Sequence, residues 1–84
     1  MYSLVTTKSF DKALAKFPVN SQPRIVAKVK EVAAAPHAAN NNLSKLQGRD
    51  GYRLRIGDWR VIYDLDDDHR AMQVLEVGPR GGIY

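Results

Sequence analysis

The run Gly51-Tyr52-Arg53-Leu54-Arg55-Ile56-Gly57-Asp58-Trp59-Arg60-Val61-Ile62-Tyr63 decides the fold. Two stretches of strand-forming residues flank Gly57-Asp58, and a two-residue link with glycine supplying positive φ is the sequence form of a tight β-hairpin. Successive side chains of a strand point to opposite faces, so Tyr52, Leu54 and Ile56 share one face while Arg53 and Arg55 share the other. In the returning strand Trp59, Val61, Tyr63 and Leu65 form the apolar row, which turns Arg60, Ile62 and Asp64 to the opposite side. Stacking the two apolar rows brings Arg60 onto the face of Arg53 and Arg55.

Beyond the hairpin, Asp64, Asp66, Asp67 and Asp68 crowd a turn, and a third strand is expected from about Ala71 to Val77. There Leu75 and Val77 alternate with Val74 and Glu76, so alternation leaves its inner face open. The aspartates lack the spacing, glycine and closing glutamate of an EF-hand loop, which favours a solvated turn over a calcium site. Towards the N-terminus, residues 2–6 read as a short strand and Thr7 as the cap of a helix over 8–17. Phe10, Ala13, Leu14 and Phe17 fall there at i, i+3, i+4 and i+7 before Pro18. Ser21 is the expected cap of a second helix with Pro23 in its first turn. Ile25, Val26, Val29, Val32 and Ala33 form its buried stripe, and Pro36 ends it. The polar connection over 36–42 leads through Leu43 and Leu46, possible anchors to the core, into the hairpin. The order is β-α-α-β-β-β, an α+β fold with two N-terminal helices packed on one face of a mostly antiparallel four-stranded sheet.

Eighty-four residues suit one domain, 1–84, with a modest core. With no cysteine and two isolated histidines, neither a disulfide framework nor a zinc site is available, and a reducing cytoplasm is the expected setting. No stretch has the pattern of a signal peptide or a membrane span, so Asn42-Leu43-Ser44 reads as a chance sequon. The formal charge of +4 suits a polyanionic or acidic partner. All six lysines lie at or before Lys45, and Lys8, Lys12, Lys16, Lys28 and Lys30 read as solvated helix faces. Every arginine except Arg24 lies at or after Arg49, and arginine is the side chain for bidentate phosphate contacts.

No nucleophile elbow, phosphate-cradling glycine loop or HExxH pattern occurs. What remains is an arginine cluster and a tyrosine at position 84. Such a set can bind a phosphodiester, stabilise charge developing during displacement, and move a proton through the phenol. By alternation alone, a solvated face paired with aspartates is the favoured reading of Arg53 and Arg55. Arg60 could pair with Asp58 or Asp64, and Arg80 could only tie down the chain end. Trp59, Tyr63 and Tyr52 read as core, and His37 and His69 as loop residues.

Leu43-x-x-Leu46-x-Gly48, the run from Tyr52 through Tyr63, Val77-Gly78-x-Arg80 and Tyr84 together resemble the RelE toxins of type II toxin-antitoxin modules, within the RelE/ParE superfamily. The resemblance implies a ribosome-dependent endoribonuclease that cuts messenger RNA in the decoding site without a metal or cofactor. It implies that Arg53, Arg55, Arg60, Arg80 and Tyr84 form the active face. Arg53 and Arg55 match positions that are lysines in the best-known members. These groups would position the scissile phosphate and assist attack by the 2′-oxygen, leaving a 2′,3′-cyclic phosphate. An arginine keeps its proton at neutral pH and is a poor general base. Tyr84 could serve if the arginines lower its pKa, but a terminal carboxylate beside it acts the other way, and the base stays open. The implied partners are a cognate antitoxin protein and ribosome-bound message, with no membrane and a monomeric free toxin. ParE-like toxins share the hairpin and imply an alternative, a gyrase inhibitor that cleaves nothing.

Overall fold

The computed structural model describes residues 1–80. The elements are β1 (Ser3–Thr6), α1 (Lys8–Ala15), α2 (Ser21–Ala34), β2 (Leu43–Lys45), β3 (Tyr52–Ile56), β4 (Trp59–Asp66) and β5 (Ala71–Pro79). They form a five-stranded mixed sheet in the order β1-β5-β4-β3-β2, with β1 parallel to β5 and every other pairing antiparallel. The expected α+β class holds, with one strand more than the four expected. Leu43, Ser44 and Lys45, read as connection, pair with Leu54, Arg53 and Tyr52 as a three-residue edge strand. So short a run carries no alternation to read.

The hairpin forms as its sequence dictates. Ile56 pairs with Trp59 across Gly57-Asp58, and Gly57 has φ +59°. Asp58 keeps negative φ, and glycine at the first central position is what a type II′ turn requires.

Both helices pack on one face. Phe10 from α1 and Ile25, Val29, Val32 and Ala33 from α2 meet Leu54, Ile56, Val61, Tyr63, Met72, Val74 and Val77 in one buried cluster. Each large apolar side chain buried there contributes about 1.5–3 kcal/mol. Trp59 stacks on Phe17, with ring centroids 4.3 Å apart, and Tyr63 stacks on Tyr52 at 5.4 Å. Val26, expected in the buried stripe, is only half-buried at its edge.

The inner face of β5 is resolved by a bulge. Ile62 pairs with Glu76 but Tyr63 pairs with Val74, so Leu75 is the extra residue. The alternation shifts by one place there, which lets Met72, Val74 and Val77 all join the core. Thr7 ties helix α1 to this irregularity. Its hydroxyl accepts from the Phe10 N–H at 3.0 Å as the expected cap and donates to the Leu75 carbonyl at 2.8 Å. At α2 the N-cap is Asn20 rather than Ser21, and no side-chain bond caps it. Pro23 sits where a backbone N–H would lack a helical partner in any case. Helix α1 stops at Ala15, two residues before the expected end, which frees Phe17 to reach Trp59.

Candidate functional site: an arginine face at the hairpin

The face of β3 and β4 turned away from the helices carries the arginines. Arg55 is the direct cross-strand partner of Arg60, and Arg53 is the partner of Ile62 one pleat along the same face. The Arg55 N–H donates to the Asn42 carbonyl at 2.8 Å, towards β2, so Arg55 and Arg60 form a non-hydrogen-bonded pair. Such pairs hold their Cα atoms about 4.5 Å apart, and like charges so placed destabilise the sheet. The two side chains lean apart. Arg55 donates from Nε and Nη2 to Asn42 Oδ1, at 3.3 and 3.1 Å, while Arg60 Nη1 donates to the Gly57 and Trp59 carbonyls at 3.0 and 2.9 Å.

Arg80 follows β5 at the same end of the sheet, where its backbone N–H donates to the Asp58 carbonyl at 2.9 Å. The hairpin turn therefore lies between Arg60 and Arg80. Arg55 and Arg60 thus share one face near the hairpin, Arg53 lies one pleat further along that face, Arg80 is placed beside the turn by its backbone, and Tyr84 lies outside the described residues. The ion pairs among the described residues are Lys28–Glu31, His37–Asp67, Arg49–Glu76 and His69–Asp66. None of them uses Arg55, Arg60 or Arg80, so the pairing of Arg60 with Asp58 or Asp64 does not form. Ile62 is fully buried on this face outside the main core, between the cross-strand neighbours Arg53 and Glu76, whose aliphatic stems suit such cover.

Two residues here escaped the sequence reading. Asn42 holds the Arg55 guanidinium, and nothing in a run of three asparagines identifies that contact. Arg24 extends from α2 to the hairpin, where a Cβ built on Gly57 would lie 3.3 Å from its Nη2. Its isolation among the lysines of the first half was the one available signal. The two histidines also do more than occupy loops, since both bond to aspartates of the β4–β5 turn. Burial pushes the Tyr63 phenol far above its ordinary value, with Tyr52 adding to the effect. Tyr63 is fully buried in the core cluster, as expected. No group of three or more His, Cys, Asp or Glu that could hold a metal occurs among the described residues. Among the described residues no helix is long and apolar enough to cross a membrane.

The fold and sequence have clear relatives. The chain superposes on RelE of the archaeal RelE–RelB complex from Pyrococcus horikoshii with a TM-score of 0.82 and 29% identity, covering 96% of this chain and 97% of that one. For the RelBE2 complex from Mycobacterium tuberculosis the TM-score is 0.65 and identity 29%, with 94% and 98% covered. The isolated Escherichia coli RelE toxin, at 24% identity and TM-score 0.79 over 95% of this chain and 85% of that one, shares the fold. A comparison with curated proteins gives no match. The model of the ParE toxin family of type II toxin-antitoxin systems matches residues 4–84. The chain belongs to the RelE/ParE superfamily of type II toxins.

Proposed function

We propose that this toxin is a messenger-RNA endonuclease acting in the ribosomal decoding site, without a metal, in the cytoplasm. The observation that carries this reading is the Arg55–Arg60 cross-strand pair, two arginines directly opposite one another at a stability cost and without a carboxylate partner among the described residues. A phosphodiester relieves that repulsion, and rotation of Arg60 from its turn carbonyls would bring its donors to an anion beside Arg55. Arg53 on the same face and Arg80 beside the turn extend the same field.

RNA brings its own nucleophile. The 2′-oxygen attacks the adjacent phosphorus, the P–O5′ bond breaks, and the 2′-proton leaves as the 5′-oxygen gains one, giving a 2′,3′-cyclic phosphate and a 5′-hydroxyl. Negative charge grows on the non-bridging oxygens, and preorganised cations facing them lower the barrier. The arginines stay charged throughout, so their part is electrostatic. On the strength of the family resemblance Tyr84 assists the proton transfers, with the general base itself unassigned. A cognate antitoxin is the expected protein partner, as RelB is in the relatives' complexes, and a monomeric free toxin is part of the same proposal.

Purified protein incubated with programmed ribosomes and message, with a chelator present, tests the reading. Cuts ending in 2′,3′-cyclic phosphate support it, and intact message contradicts it. The family model's ParE name supports a second reading, a gyrase inhibitor without nuclease activity. Inhibited supercoiling beside intact message selects that one.

A further inference from the structure

Next to the arginine face, a cleft of about 350 Å³ opens between α2 and the β2–β3 edge. We propose that it binds one unpaired nucleobase of the RNA held on that face, and that it favours a base with two adjoining acceptors, as guanine has in O6 and N7, over adenine. The inference rests on the nuclease reading for its ligand and adds a base-specificity site to it.

Three observations converge. First, Arg55 both lines the cleft and lies in the cross-strand arginine pair, so a nucleotide whose phosphate meets that guanidinium has its base within reach of the cleft. Second, the lining has the two-sided chemistry of a base. Val32 and Leu54, both buried, supply apolar surface, while Asn40, Asn42 and Glu31 supply polar groups. Single-stranded RNA is read by such pockets, which stack the flat faces of a splayed base and bond its edge.

Third, the amides are already oriented. Asn42 Oδ1 accepts twice from Arg55, and Asn40 Oδ1 accepts from the Asn42 N–H at 2.9 Å. Asn42 Oδ1 has both lone pairs taken and Asn40 Oδ1 one of its two, so the NH2 groups are the donors that both side chains leave open. Two donors suit the O6 and N7 acceptors of guanine, whereas adenine presents N7 beside an N6 donor. An asparagine reading adenine uses its oxygen beside its NH2, and on Asn42 that oxygen is already taken twice by Arg55.

The test is a titration of the 15N-labelled protein with GMP and with AMP, following the side-chain NH2 signals of Asn40 and Asn42. Both ligands carry the same phosphate, so their difference reports the base. GMP is expected to move these signals at roughly tenfold lower concentration than AMP. Asn40→Asp keeps the oxygen that accepts from the Asn42 N–H and removes the NH2, so it should shrink that ratio while the fold persists. Equal responses to the two nucleotides, signals that never move, or a ratio unchanged in Asn40→Asp would overturn the inference. The same preparation is assayed on programmed ribosomes. Intact message together with a GMP preference removes the nuclease reading and leaves the base site standing, whereas cleavage without that preference does the reverse.

Discussion

At Asp67, side chains from three distant parts of the chain meet. The Tyr2 hydroxyl donates to Asp67 Oδ1 at 2.5 Å, His37 Nε2 lies 3.1 Å from the same oxygen, and the Tyr2 and His37 rings meet edge to face. This clasp joins the residue before β1, the segment after α2 and the β4–β5 turn. The Tyr2 bond, with His37 beside it, holds the Asp67 carboxyl below its usual range, and the same bond raises the Tyr2 phenol. A depressed carboxyl stabilises the fold above its unfolded value of about 4 and loses that contribution as pH falls through the folded value. A raised phenol contributes fully below about 10 and is lost as pH rises through its folded value. The clasp is thus whole between those limits and fails on both sides. Tyr2→Phe is expected to move the Asp67 titration, followed by carboxyl 13C NMR, up towards the ordinary range. An unmoved midpoint would remove Tyr2 as the main cause. Asp67 and His37 are exposed and Tyr2 is only half-buried, so the effect on stability is small.

At the scale of elements, Gly51 shows how a loop fixes a strand's start. Its φ is +119°, and a Cβ there would sit 3.0 Å from the Tyr63 carbonyl oxygen and 3.3 Å from Leu46 Cδ1. Gly48, at φ +78°, has nothing within 4 Å of the same position. Gly51→Ala is expected to cost about 1–3 kcal/mol in urea denaturation and more than Gly48→Ala, which carries the backbone strain without the collision. Equal costs would show that the close approach contributes nothing. The contrast also marks what the sequence could convey. The hairpin was legible because Gly57-Asp58 and the alternation on both sides agree, and Thr7 because a threonine before an amphipathic run has one obvious task. The bulge at Leu75 was not, since one inserted residue inverts every later side chain and leaves only an ambiguous apolar string. Ser21 stood where a cap should stand, but the chain enters α2 one residue earlier, through Asn20.

Over the whole molecule, the sheet divides the labour between its faces. One is covered by both helices, and the other holds Arg53, Arg55 and Arg60, with Arg80 joining at the hairpin end. Alternation was enough to assign three of these to a common face, because period-two geometry depends on local sequence alone. The neighbours that orient them were not legible. Asn42 on Arg55, the turn carbonyls on Arg60 and the approach of Arg24 to Gly57 are tertiary facts joining segments with no shared pattern. The asparagines looked like mere connection for the same reason. On the proposed function, the guanidinium groups of this face and of Arg80 stabilise the scission of one phosphodiester. The most direct measurement is the single-turnover cleavage rate of ribosome-bound message by Arg80→Ala, beside a thermal melt of the same variant. A loss of roughly 10²- to 10³-fold with an unchanged melt is expected, by analogy with deleting one preorganised donor to a developing oxyanion. A variant that folds normally and cuts at the wild-type rate would contradict it.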